Sequence, residues 1–229
     1  MIVHRYIWDG HDWKSDPINF GLEKPRILTA NKIHHVQPNA KIIIMMRRPE
    51  DRLWSDYNFF KESHKTASDF HTKVVQGIDW WHRCREELSV ENCAIGNDYD
   101  HVENPRTDKV WVSEGSDRVR IGIYYAFIKR WLDLFPRRNI LFIKFEDYIQ
   151  DPIRYMSDAV FPFLGLSDAS LISKHNMQDN IAHGPRLSNK KSHKQSMLLE
   201  TRHILNSFYK PFNEELAYLI QDDRFLWKD

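Results

Sequence analysis

Residues 41–57 read KIIIMMRRPEDRLWSDY. Lys41–Met46 is a continuous apolar run of β-branched and methionine residues behind its lysine. That pattern fits a strand buried on both faces, as in a parallel sheet. Arg47-Arg48-Pro49 ends the run at once. Pro49 suits the first turn of a helix, and Glu50 and Asp51 suit its positive end. The helix is expected to reach about Ser63. In open parallel sheets, ligands bind outside the carboxyl ends of strands, where the next helix offers free N–H groups to an anion. Arg47 stands at such an end. Arg52 and Ser55, three residues apart, lie on neighbouring faces of the helix. An arginine fork with a hydroxyl is sound phosphate chemistry. The bland alternative is a solvated charge cluster that caps the helix.

Working outward, residues 1–25 are irregular and rich in Trp, Asp, Gly and Pro. Residues 26–37 read as a short helix ended by Pro38-Asn39. His34-His35 then marks the end of a surface helix rather than a ligand pair. A second helix is expected over 70–89, with Val74, Ile78 and Trp81 on one face. Residues 92–117 are polar and turn-rich, hence a surface loop. Helix 119–134 follows and ends at Phe135-Pro136. Asn139–Phe145 is a second buried strand, with Glu146-Asp147 at its carboxyl end. Asp151-Pro152 looks like an N-cap with proline at the first helical position, and Gly165 stops that helix. Residues 167–195 are polar, with a basic cluster at 189–194. One helix, or a pair broken near Pro211, covers 198–221. Strands alternating with helices argue for an α/β fold in a single domain over residues 1–229.

Bulk properties narrow the function. The 229 residues are 41% hydrophobic and 28% charged, ordinary for a globular domain. Net charge is +1, from 33 basic and 32 acidic residues, so no global basic field points to nucleic acid. Any anion site must be local. No apolar run approaches membrane-spanning length, and the first residues lack the pattern of a signal peptide. The twelve His are scattered, with no HExxH or comparable metal spacing, so no metal is expected. Cys84 and Cys93 leave two readings open: free thiols, or one local disulfide.

The stretch 42–57 resembles the 3′-phosphate-binding motif of sulfotransferases that use 3′-phosphoadenylyl sulfate. That pattern is a hydrophobic strand followed by R-x-P-x-x-R-x-x-S-x-Y, and Arg47, Pro49, Arg52, Ser55 and Tyr57 match it in order. Three further segments agree. Gly122-Ile123-Tyr124 with Trp131-Leu132 and Phe135-Pro136 resembles a G-x-Y…W-L…F-P helix. NILFIKFEDYIQDP, 139–152, resembles a strand ending in E-D with a later D-P. The basic loop 189–194 precedes a terminal helix carrying Phe208-Tyr209-Lys210-Pro211-Phe212-Asn213. The likeness covers about residues 41–229. It is closest to the branch that sulfates the 6-hydroxyl of N-acetylgalactosamine 4-sulfate in chondroitin and dermatan. The cysteine pair and the closing Arg224-Phe225-Leu226-Trp227 also resemble that branch.

The resemblance implies a P-loop-NTPase-like sulfotransferase fold with a central parallel sheet flanked by helices. It implies sulfuryl transfer from 3′-phosphoadenylyl sulfate, leaving adenosine 3′,5′-bisphosphate, to a glycosaminoglycan hydroxyl. It gives Arg47 and Ser55 the 3′-phosphate, and Lys190, Lys191 and Lys194 a second basic loop over the nucleotide. As bare sequence those lysines are a solvated run. It implies a Cys84–Cys93 disulfide and a Golgi location, with any membrane anchor upstream of Met1. Arg52 is expected to pair with a carboxylate on the helix surface. Arg120 is a candidate to face donor or acceptor. Glu146-Asp147 is expected to be structural. Trp80, Trp81, Phe59 and Phe60 are expected in the core rather than stacked on sugar.

The family's P-K-x-G-T-T loop, which cradles the 5′-phosphosulfate, is absent from the 229 residues, as is Walker A. Trp8-Asp9 and Trp13 resemble a W-D-x-x-x-W pattern that follows the family's catalytic glutamate. The chain is therefore expected to begin inside the domain, with the first βα unit and the base upstream, and to be inactive alone. The rival is a pseudoenzyme that binds nucleotide or sulfated glycan without turnover. A P-loop kinase relative fits the motif order less well.

Overall fold

A computed structural model describes residues 16–22, 25–60, 66–95, 118–166 and 196–228. Its elements run α1 (Thr29–Val36), β1 (Ile42–Met46), α2 (Pro49–Phe60), α3 (Ala67–Glu87), α4 (Val90–Ile95) and α5 (Tyr124–Leu134). Then come β2 (Ile140–Lys144), α6 (Phe145–Tyr148), α7 (Pro152–Tyr155), α8 (Phe161–Leu164) and α9 (Leu199–Ile220). A short π-helical stretch, Met156–Val160, joins α7 to α8.

The two strands pair in parallel, as the apolar runs led one to expect. Ile42 lies opposite Ile140, and Met46 opposite Lys144. One face of this pair carries Ile44, Met46, Ile140 and Phe142, all buried. They pack with Ile128 and Trp131 of α5, with Leu216 and Ile220 of α9, and with Phe225 and Trp227 of the tail. The other face is less covered on β1, where Met45 is 39% exposed, than on β2, where Ile143 opposite it is buried. Burial on both faces therefore does not hold for β1 among the described residues. An apolar run reports that a strand is largely buried, and it cannot tell which of its two faces finds a partner.

A second cluster joins α2, α3, α4, α5 and α9. Leu53, Phe70, Val74, Trp80, Trp81, Cys84, Cys93, Phe127, Leu205 and Tyr209 are among its buried members. Trp80 and Trp81 are core residues, as expected. Phe59 is not: it is 77% exposed. It sits in the last turn of α2, where that helix carries its apolar side past the core. The side chain of Phe60 lies outside the described residues.

Several boundaries moved for local reasons. α3 begins at Ala67 rather than 70, because Thr66 caps it by accepting the Asp69 N–H at 3.0 Å. Residues 90–95 form a helix with Cys93, Ala94 and Ile95 buried, where a surface loop was expected from 92 onward. The Cys84–Cys93 disulfide draws this turn onto α3. α5 starts at Tyr124, not 119, because Gly122 makes a turn under Tyr209. Pro211 does not break α9, which runs unbroken from Leu199 to Ile220. The missing N–H frees only the Ser207 carbonyl, and Ser207 is exposed, so water can satisfy it. Gly165 ends α8 in the left-handed conformation, φ 79°, as its position indicated.

Both cysteines are fully buried and close a short loop, ten residues long counted inclusively, between α3 and α4. Cross-linking a loop of that size restricts the unfolded chain by about 2–3 kcal/mol. The Cys84→Ala/Cys93→Ala double variant should lose about that much unfolding free energy in urea titration under oxidising conditions. Reductant should lower the wild type toward the variant and leave the variant unchanged.

Candidate functional site

The strand pairing brings two chain reversals side by side. β1 ends at Met46 and β2 at Lys144, so Arg47 and Arg48 lie beside Phe145 and Glu146. The Arg47 guanidinium sits over the Phe145 ring, 5.3 Å from its centroid. Arg47 is half-buried, and among the described residues no carboxylate lies within ion-pair distance of it. The acids at the start of α2 have other partners. Glu50 is buried, with Arg48 3.6 Å away, and Asp51 pairs with Arg202 of α9 at 3.0 Å. Burial pushes the Glu50 carboxyl above the usual glutamate range, and Arg48 opposes that shift. Near its positive helix end, the turn thus keeps one cation whose charge is not spent on a neighbouring acid.

Ser55 is exposed, two turns into α2. Arg52 behaves differently from expectation. It is 5% exposed, so its pair with Asp56, at 2.5 Å, is an internal contact and not a surface one. Its other nitrogen donates to the Arg118 carbonyl at 2.6 Å. Arg52 and Ser55 therefore do not share a ligand surface. Tyr57 is also structural: its hydroxyl bonds Asp69 at 2.6 Å and its ring stacks on Trp54, fixing α2 to the start of α3.

Arg120 is fully buried, with its guanidinium 5.5 Å from the Trp80 ring centroid. It does not face a donor or an acceptor. Glu146-Asp147 is structural, as expected. Glu146 accepts the Arg48 N–H at 2.8 Å and the Trp227 Nε1–H at 3.1 Å. Asp147 pairs with Arg224 at 3.2 Å. Lys190, Lys191 and Lys194 lie outside the described residues. No cluster of candidate metal ligands occurs among the described residues.

Three residues that bear on the site were visible as motif letters without a role. Tyr124 donates its hydroxyl to the Arg47 carbonyl at 2.9 Å. Tyr209, fully buried in α9, donates to the Val119 carbonyl at 2.7 Å. Its ring explains Gly122, since a Cβ there would meet Tyr209 ring atoms at 2.7 Å. Trp227 joins the chain's end to Glu146. Spacing alone marks such residues, but not what they touch.

A model of the sulfotransferase domain matches residues 20–222. The chain belongs to the sulfotransferase-domain family. Human carbohydrate sulfotransferase 15 is 31% identical over 222 residues, covering 97% of this chain and 37% of that protein. The chain thus spans under two-fifths of the length of that relative. Carbohydrate sulfotransferase 15 of Nototodarus sloanii is 26% identical over 153 residues, which cover 66% of this chain and 87% of that protein. Mouse heparan sulfate glucosamine 3-O-sulfotransferase 6 is 23% identical over 210 residues, 86% of this chain and 52% of that one. The fold is similar to the crystal structure of a sulfotransferase from Alicyclobacillus acidocaldarius, with a TM-score of 0.53 and 23% identity. That match covers 85% of this chain and 60% of the other. The sulfotransferase domain is therefore α/β, with the P-loop-like fold expected from the sequence.

The close approach at Gly122 gives a direct test of how the sulfotransferase turn is packed. Gly122→Ala forces a methyl against a buried ring that is itself hydrogen-bonded. Overpacking of this kind costs about 1–3 kcal/mol, and urea unfolding should show that loss. A loss below about 0.5 kcal/mol would mean the ring moves freely, against its hydrogen bond to Val119.

Proposed function

We propose that this sulfotransferase domain holds the 3′-phosphate of 3′-phosphoadenylyl sulfate at Arg47 and Ser55. The protein then transfers the sulfuryl group to a hydroxyl of a glycosaminoglycan of the chondroitin or dermatan type. The observation that carries the reading is Arg47 itself. Its guanidinium lies over the Phe145 ring beside the amino end of α2, without an acidic partner among the described residues. A half-buried, unneutralised arginine near a helix N-terminus is suited to a doubly charged phosphate. A carbohydrate acceptor is supported by 31% identity to human carbohydrate sulfotransferase 15 over nearly the whole chain, and the chondroitin or dermatan type rests on the motif resemblance.

Lys190, Lys191 and Lys194 form the second basic contact on the nucleotide in this reading. No metal takes part. A Golgi location fits the disulfide, which persists in oxidising compartments. No described helix is long and apolar enough to cross a membrane.

Sulfuryl transfer also needs donors around the 5′-phosphosulfate and a base for the sugar hydroxyl. The 229 residues contain no P-K-x-G-T-T stretch to supply the former. That same feature favours the second reading, a domain that binds nucleotide or sulfated glycan without turnover. The two differ in what an in-frame upstream sequence would contain: a P-K-x-G-T-T segment for the enzyme, none for the pseudoenzyme.

Two outcomes are expected. Calorimetric titration with adenosine 3′,5′-bisphosphate should show Arg47→Ala binding about 1.5–3 kcal/mol more weakly than wild type, the worth of a charge-assisted contact. Equal affinities would remove Arg47 from the site. The purified 229-residue chain should transfer no measurable sulfate to desulfated or 4-sulfated chondroitin. Detectable transfer would overturn the view that these residues lack the transfer chemistry.

A further inference from the structure

Arg47 can meet a phosphate only if its backbone aims it. That backbone is held at an unusual point. The Arg47 carbonyl and the Arg48 N–H belong to one peptide unit, at the junction of β1 and α2. The carbonyl accepts the Tyr124 hydroxyl at 2.9 Å. The N–H donates to Glu146 at 2.8 Å. Two side chains from different elements thus grip both polar ends of a single peptide plane. Rotating that plane would break both bonds together.

The grip extends in two directions. Phe145, the neighbour of Glu146, lies under the Arg47 guanidinium, so consecutive residues hold the head group and the backbone of the same arginine. The second oxygen of Glu146 accepts Trp227 Nε1–H at 3.1 Å, and the Trp227 ring lies 6.1 Å from that of Tyr124. Trp227 is 6% exposed and has φ 45°. A bulky residue enters that left-handed region only when its surroundings impose it. The tail is therefore drawn into place by what it touches. Burial raises the Tyr124 hydroxyl to about 12; like any phenol it keeps its proton at physiological pH and can donate to the Arg47 carbonyl.

We propose that Tyr124, Glu146 and Trp227 are positioning residues that lock the Arg47–Arg48 peptide, and so aim Arg47 at the 3′-phosphate of the donor. This rests on the reading of Arg47 given above. None of the three touches the nucleotide in this account; they act through the arginine's backbone. The chain's final residues thereby become part of donor recognition.

The test separates aiming from mere stability by using two nucleotides that differ only in the 3′-phosphate. Adenosine 3′,5′-bisphosphate and adenosine 5′-monophosphate are titrated into the full chain by calorimetry. Wild type should prefer the bisphosphate. Tyr124→Phe keeps the ring and removes the hydroxyl. It should reduce that preference about three- to tenfold, the worth of one neutral hydrogen bond, and leave the monophosphate affinity unchanged. Glu146→Gln, which cannot accept both N–H groups as a carboxylate does, should act in the same direction and serves if the first variant fails to fold. Equal weakening of both nucleotides, or an unchanged preference, would overturn the proposal. Arg47→Ala distinguishes the two levels. If it abolishes the preference while Tyr124→Phe and Glu146→Gln do not touch it, the donor reading stands and the positioning role falls. If Arg47→Ala leaves the preference intact, or wild type shows none, both fall together.

Discussion

Parallel pairing of β1 with β2 is the constraint on which the site depends. Opposing Met46 and Lys144 ends both strands at one level. The two following turns are then forced to share space. That is why Arg47 lies over Phe145, and why the Arg48 N–H finds Glu146. A shift of one register position would carry Glu146 away from that N–H and would also turn the buried face of the shifted strand outward. The apolar stripe of Ile44, Met46, Ile140 and Phe142 resists such a shift, because α5, α9 and the tail all pack on it.

A second layer of constraint comes from buried polar groups. Arg52, Tyr209 and Arg120 are each under 6% exposed, yet lie beneath a surface that must present charge. A buried guanidinium is tolerated only with good partners. Arg52 has Asp56 and the Arg118 carbonyl. Arg120 has the Trp80 face among its contacts. Tyr209 takes the Val119 carbonyl and fixes the turn at Gly122. These contacts tie residues 118–122 to α2 and α9, and that turn launches α5 with Tyr124 at its first position. Arg47, which is half-buried and has no carboxylate at ion-pair distance among the described residues, stands on this framework. Arg52 is spent on internal support, and Arg47 is the arginine proposed to bind.

Much of the fold was legible in the sequence. Both strands, the helix after Pro49, the stop at Gly165 and the structural character of Glu146-Asp147 follow from local chemistry. A run of β-branched residues, a proline at a helix start and a glycine at a helix end each act over a few residues. The errors share a cause. Phe59 was assigned to the core by helical spacing, and spacing does not say where a helix leaves the core. Arg52 was expected to pair with a carboxylate on the helix surface; it does pair, with Asp56 one turn on, but the contact is internal, and the Arg118 carbonyl that completes it comes from far along the chain. Residues 92–95 looked like loop because their polar context outweighed three buried side chains, Cys93, Ala94 and Ile95, that a disulfide draws inward.

By itself the sequence determined the element order, the parallel α/β class and the turn that carries Arg47, because these depend on short-range backbone preferences and apolar periodicity. It also determined the family, through motifs spread over most of the chain. Only the tertiary structure decided which arginine faces outward, why position 122 is glycine, and what holds the Arg47–Arg48 peptide. Those answers depend on residues far apart in the chain: Arg52 meets Arg118 and Gly122 meets Tyr209, and the peptide is held by hydrogen bonds between residues 77 and 98 positions apart. Contacts of that span are set by how strands and helices pack, and no local pattern encodes them.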